Sequence, residues 1–304
     1  MSVGHYLGNL KALSKGWDLN KQPDEMKQRL YMKDIDCPPA WQEALKSCIP
    51  PGLFYLNDGI AIASADADED LGHNATEESN RVSPSGDLMA CLPESMRAEN
   101  MMCYIGHEGT YTPAHMDMCA SLGQNIMVEA SGSQSSDETE TLGSSIWFMT
   151  ESNDRDVVAE YWSSVLGHDI EVESHFASLD AWRKAPFTTY VVEQKVGDLI
   201  LVPPMAPHQL WNLGTRTMKV AWSRTTVETL ELALHEALPR SRMVCRSEEY
   251  KCKAMIYFSL KKYVMLLLGI EDLNTYEIKR HRGFIQLKSD VVALYHLFTE
   301  IMLS

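Results

Sequence analysis

The 304-residue sequence contains no apolar run of membrane-spanning length. The longest, YVMLLLGI (263–270), is bracketed by Lys261, Lys262 and Glu271, far short of the roughly twenty apolar residues a spanning helix needs. The first residues, MSVGHYLGNLKALSKGW, have no signal-peptide apolar core. Cysteines are sparse and none form a CxxC pair. The seven, at 37, 48, 91, 103, 119, 245 and 252, are an odd number, which argues against a disulfide framework and for reduced thiols in the cytosol or nucleus. Basic residues are also short, 27 Lys and Arg against 42 Asp and Glu, leaving a formal charge of -15. A chain so acidic repels a phosphate backbone, so direct nucleic-acid binding is not expected, whereas a basic partner such as a lysine-rich tail is attracted. There is no internal repeat. These absences together predict a soluble, intracellular protein that neither enters a membrane nor binds nucleic acid directly.

What is present is enough apolar material, 45% of residues, to bury a sizeable core without covalent staples. Two stretches contribute almost nothing to it. SADADEDLGHNATEESNRVSPSGD (64–87) and SGSQSSDETETLGS (131–144) are rich in Ser, Asp, Glu and Gly and read as mobile surface loops. Around them lie short β-like runs, MMCYIG (101–106), QNIMVEA (124–130), SIWFMT (145–150), TTYVVEQ (188–194), DLILVPP (198–204) and TMKVAWSRT (217–225), the pattern of a sandwich or barrel. From residue 226 the period becomes helical: Val227, Leu230, Leu234 and Leu238 share one face, as do Val291, Leu294, Phe298 and Met302.

The chemistry begins at YTPAHMDM (111–118). Along a strand, residues i and i+2 project from the same face, so His115 and Asp117 aim an imidazole and a carboxylate at one point. A second segment, GDLILVPPMAPHQLWN (197–212), reads G-x5-P-x4-H-x3-N. A turn at Gly197 and Asp198 leads into an apolar strand, Pro203 and Pro204 end it, and His208 opens the next segment. The earlier segment reads G-x5-H-x-D from Gly109. In a double-stranded β-helix this order puts the histidine at the barrel mouth. An H-x-D pair followed about ninety residues later by that box gives His115, Asp117 and His208 as a facial triad, which holds Fe(II) on one face and leaves three positions open. Asp117 in place of a further histidine argues against a four-ligand cupin.

At these residues, over about 95–228, the sequence resembles the JmjC (Jumonji C) family of Fe(II)- and 2-oxoglutarate-dependent oxygenases, fungal type, histone demethylase-like. CYIGHEGTYTPAHMDMCASLGQN is similar to the family's aromatic strand and first ligand pair, and GDLILVPPMAPHQLWNLGTRTMKVAWSRTT to its distal histidine and closing strand. The resemblance implies a jelly-roll, cupin-like fold, mainly β with α. The domains expected are N-terminal flanking elements over 1–94 with a mobile acidic loop at 64–87, a JmjC domain over 95–228 with an insert at 131–144, and a C-terminal helical subdomain over 229–304. It further implies iron held by His115, Asp117 and His208, a 2-oxoglutarate cosubstrate, and oxidation of a C–H bond. If that bond lies in an N-methyl group of lysine, the product loses formaldehyde and the lysine is demethylated. Partners would then be methylated histone or other basic protein tails, and the location nuclear. A protein hydroxylase, or a catalytically silent chromatin-interaction module, are the alternatives.

The resemblance also assigns roles around the iron. Tyr104 matches a methyl-lysine pocket tyrosine, Asn125 an asparagine near the cosubstrate, and Trp222 is placed on the substrate side. One feature departs from the family. Where many members have a lysine two residues before an aromatic to anchor the far carboxylate of 2-oxoglutarate, this chain has Ser145 before Trp147. A buried carboxylate without a cation is costly. On TMKVAWSRT, alternation sets Met218, Val220, Trp222 and Arg224 against Lys219, Ala221 and Ser223. Taking the apolar set as interior makes Arg224 the expected carboxylate clamp. A zinc site drawn from His168, His175, Cys245 and Cys252 is a weaker possibility, since neither pair has finger spacing.

Overall fold

The structure is a computed structural model and describes residues 2–13, 29–49, 87–132, 142–271 and 282–303. Apart from their ends, the acidic loop at 64–87 and the insert at 131–144 lie outside the described residues. Nine strands are described: β1 (Met32–Asp36), β2 (Met101–Gly106), β3 (Tyr111–His115), β4 (Leu122–Ser131), β5 (Ser144–Met149), β6 (Tyr190–Gln194), β7 (Leu199–Val202), β8 (His208–Leu213) and β9 (Arg216–Arg224). They form two antiparallel sheets, one in the order β1-β2-β9-β4-β7 and the other β3-β8-β5-β6. This is the expected jelly roll, with strands more than a hundred residues apart, such as β2 and β9, paired side by side.

Among the described residues eight α-helices flank it: α1 (Val3–Leu13), α2 (Pro39–Cys48), α3 (Arg155–Ser164), α4 (Leu179–Lys184), α5 (Val227–Leu232), α6 (Leu238–Met243), α7 (Cys252–Glu271) and α8 (Arg282–Leu303). A capping box at Thr226 and Thr229 starts α5, and a π-helical turn at Ala233–Ala237 carries it into α6. Val227, Leu230 and Leu238 are buried as their spacing predicts, and so is Leu294 on α8. Met302, placed on the same face by periodicity, is exposed, because the packing of α8 ends before it. No described helix is long and apolar enough to cross a membrane.

The layers explain which way each strand faces. The largest core cluster joins Phe148 and Trp211 of the smaller sheet to Met255, Tyr263, Leu287 and Leu294 of α7 and α8, so the C-terminal helices share a core with the face of that sheet opposite Trp147 and Leu210. On the five-stranded sheet, α2 covers the outer face. Leu45 of α2 packs in one cluster with Met101 and Cys103 of β2 and Val220 and Trp222 of β9. The apolar set of β9 is therefore the outer set, and the other alternation lines the space between the sheets. Gly197, with φ of 89°, closes the turn before β7; open space surrounds it, so backbone conformation alone calls for glycine there.

Candidate metal centre

A cavity of about 480 Å³ opens between the sheets, with His115, Asp117 and His208 in its wall. His115 ends β3 and His208 begins β8, and the two are direct cross-strand partners. Asp117 lies just past the end of β3, its backbone still extended (φ -61°, ψ 141°), so the i and i+2 argument holds although the strand has ended.

Each histidine is fixed by its own backbone. Nδ1 of His115 lies 2.8 Å from the Pro113 carbonyl oxygen and Nδ1 of His208 3.0 Å from that of Ala206, so both Nδ1 atoms carry the proton and donate it. That leaves both Nε2 lone pairs for a ligand. The two Nε2 atoms lie 3.8 and 3.9 Å from Oδ1 of Asp117, and the rings are 4.2 Å apart. These separations are too long for hydrogen bonds, and the three ligand atoms lie within 4.8 Å of one another, so one ion can take all three. Burial, followed by the neighbouring His208, holds His115 well below the ordinary histidine range, so it is neutral and able to ligate. Burial also raises the Asp117 carboxyl, with His208 and Arg246 pulling the other way. Gly123 cradles that carboxylate: a Cβ there would sit 2.1 Å from Asp117 Oδ2. The donor set and its cradle fit a divalent iron.

The other assigned residues separate into those the cavity gathers and those it does not. Tyr104 lines the cavity, and its hydroxyl donates to Oδ1 of Asp34 at 2.9 Å. Asn125 lines it too; its Oδ1 accepts from Nε2 of Gln194 (3.1 Å), whose Oε1 accepts from the Trp147 indole (2.9 Å). Ser145 is fully buried behind them.

Arg224 and Trp222 lie on the outer alternation of β9, not on the inner one expected of them. Trp222 contributes to the cavity lining, but the residue is only 2% exposed and belongs to the cluster under α2. Arg224 shares that alternation, and its charge acts on Tyr263 of α7, outside the barrel. The inversion has a simple cause. The interior of this barrel is a polar site, and the apolar face of β9 is the one a covering helix requires.

The cation missing at position 145 stands instead on β9. Lys219, 1% exposed, donates from Nζ to Oγ of Ser145 (3.0 Å) and to Oδ1 of Asn212 (2.7 Å), while Ser145 Oγ donates to the same Asn212 oxygen (2.7 Å). Its Nζ is 6.0 Å from the centre of the Trp147 ring, which stacks on His208 at 5.8 Å. Burial lowers the Lys219 ammonium to a pKa of about 7. Among the described residues no carboxylate is bonded to it, so in its protonated form it is able to receive one. Sequence reasoning missed it by trusting apolarity over register: Lys219 pairs directly with Tyr104, which had already been placed at the site.

Also missed was the segment before α7, from which Arg246, Glu249 and Tyr250 form part of the cavity wall. Arg246 pairs with Glu173 there. The four-residue zinc site is not assembled: His168 and His175 stack on each other at 3.7 Å, and Cys245 is exposed, while Cys252 lies buried elsewhere.

Comparison with known proteins agrees with this geometry. Residues 102–223 match the family described as "JmjC domain, hydroxylase". C-module-binding factor A of Dictyostelium discoideum is 31% identical over 280 residues, an alignment that takes in 91% of this chain and 24% of that protein. The chain thus spans about a quarter of the length of that relative. With a jelly roll, an iron-type triad and that match in agreement, residues 102–223 of this chain are a JmjC domain, of the Fe(II)- and 2-oxoglutarate-dependent oxygenase type.

Proposed function

We propose that this domain demethylates N-methyl-lysine on a basic protein tail, histone tails foremost, in the nucleus. The observation that carries the reading is the wall of the cavity. Around the triad stand three tyrosines, Tyr31, Tyr104 and Tyr250, interleaved with the acids Asp34, Glu99 and Glu249. Aromatic faces and carboxylates are what a methylated ammonium needs for recognition. The overall charge of -15 favours the approach of a basic tail.

When bound, iron, 2-oxoglutarate and O2 supply the oxidation of a methyl C–H bond to a hydroxymethyl amine, which releases formaldehyde. The chain's own residues do the rest. His115, Asp117 and His208 would hold the metal, with Nδ1–H of each histidine donated to a backbone carbonyl. Lys219, buried behind the cavity wall at Trp147 and positioned by Ser145 and Asn212, receives the far carboxylate of 2-oxoglutarate, while Asn125 lines the cavity itself. Tyr104 orients the methylated side chain.

The description of the matched family as a hydroxylase supports a second reading, in which the hydroxyl stays on the substrate. The name of the relative, a binding factor, supports a third, a silent interaction module. The intact triad speaks against the third. One experiment separates them: incubate the protein with Fe(II), ascorbate, 2-oxoglutarate and a panel of methylated histone peptides, and read the masses, with His208→Ala as control. Loss of methyl mass that depends on His208 is expected. Gain of one oxygen would establish a hydroxylase, and no change on any peptide would overturn the enzymatic reading for histone tails.

A further inference from the structure

We propose that Cys119, Glu248 and Cys252 bind a structural zinc ion, distinct from the iron triad, that locks the cavity wall to the barrel. They come from two distant parts of the chain. Cys119 lies in the short 3-10 turn (Met118–Ala120) that follows the first ligand pair, Glu248 in the segment before α7, and Cys252 at the first residue of α7. One ligand atom from each lies within 4.8 Å of the others, and both cysteines are buried, at 4% and 0% exposure. Two thiols and a carboxyl brought together out of water are either protonated or held by a cation. Two thiolates and a carboxylate form a donor set for zinc and leave one of four tetrahedral positions for water on the half-buried side of Glu248.

The cluster is already gathered without an ion: the Cys119 thiol donates to Oε1 of Glu248 at 3.5 Å, and the same oxygen accepts the Cys252 backbone N–H at 3.3 Å, so the carboxylate is held between the two cysteines. The backbone around the cluster is held in conformations that side chains disfavour. Cys119, Ala120 and Lys251 all take positive φ, at 55°, 51° and 56°. Such residues persist where surrounding structure over-determines them, as a metal clamp does.

The consequence lies in what the segment does on its other side. Arg246, Glu249 and Tyr250 project into the iron cavity while Glu248 and Cys252 meet Cys119. An ion at the cluster therefore fixes the wall against the turn that carries Asp117. Binding displaces the thiol protons to solvent and involves no redox change.

Cobalt reports the site directly, because the iron triad contains no sulfur. Co(II) added to the reduced, metal-stripped full chain should produce a thiolate-to-cobalt charge-transfer band in the near ultraviolet. The band should survive in His115→Ala/His208→Ala and vanish in Cys252→Ser. In the double-histidine variant, dialysed against zinc and then metal-free buffer, about one zinc per chain should be retained, with sulfur ligands near 2.3 Å by X-ray absorption. Absence of the band in folded wild-type protein would overturn the site without recourse to any variant. So would undiminished zinc in a Cys119→Ser/Cys252→Ser chain. The test is independent of enzymatic activity.

Discussion

Nζ of Lys219 on β9 donates to Oγ of Ser145 on β5 across 3.0 Å, joining the two sheets at the position where the family's lysine is replaced by serine. The cation has moved from one strand to another while its charged end stays beside the same serine. Two consequences concern protons.

First, cosubstrate binding should take up a proton. Burial lowers Lys219 to about 7, so in the ligand-free protein it is mostly neutral at pH 8. A bound carboxylate stabilises the ammonium and raises that value. Calorimetry at pH 8 in buffers of different ionisation enthalpy should show uptake approaching one proton, and affinity should weaken as pH rises above about 7. Identical heats in all buffers would show that Lys219 does not change protonation.

Second, the lysine should cost stability. Its value is about 7 folded and near 10.5 unfolded, so between these limits the unfolded chain binds more protons and stability rises with pH. The penalty is complete below about pH 7 and is relieved toward pH 10.5. Lys219→Met should raise the melting temperature at pH 6, by an effect on the order of a few kcal/mol. The gain should shrink at pH 9. Ser145 would keep its bond to Asn212, so the cluster is not left wholly unpaired. A variant that melts lower at both pH values would show that the lysine's hydrogen bonds outweigh its desolvation.

Gly123→Ala tests the carboxylate cradle. The new methyl would meet Asp117 Oδ2, so the ligand must swing away. Metal affinity should fall by about 10- to 100-fold, as for outer-shell changes, with the chain still folded. Fe(II) or Mn(II) titration provides the measurement, and unaltered affinity would mean that Asp117 is not held as described.

How much of this was legible beforehand depends on which residues carried the signal. His115, Asp117 and His208 were found because glycine and proline punctuation fixes where each ligand emerges, and that is local information. The strands found were those with continuous apolar runs. Lys219 was hidden because the facing of β9 depends on α2, whose Leu45 shares a core cluster with Trp222 from about 180 residues away in sequence, and no alternation pattern records which sheet face a helix will cover. Cys119 and Cys252 were hidden for a related reason: their spacing follows no motif, and only the docking of α7 against the barrel brings them together.

Tyr104→Phe separates recognition from packing. It removes the hydroxyl bonded to Asp34 and keeps the ring, so about 0.5–1.5 kcal/mol is at stake. In steady-state assays the KM for methylated peptide should rise severalfold, with the KM for 2-oxoglutarate and the melting temperature little changed. A fall in melting temperature with an unaltered peptide KM would assign Tyr104 to the core alone.

The most direct measurement is calorimetric binding of 2-oxoglutarate, with Mn(II) in place of iron, to the wild type, Lys219→Met and Arg224→Met at pH 6.5. Loss of the cation from a buried carboxylate should weaken binding by at least about 100-fold in Lys219→Met, whereas Arg224→Met should bind like the wild type. Wild-type affinity in Lys219→Met, or its loss in Arg224→Met, would refute the placement of the cosubstrate against β9, and no binding to the wild type would leave the triad without the cosubstrate its chemistry requires.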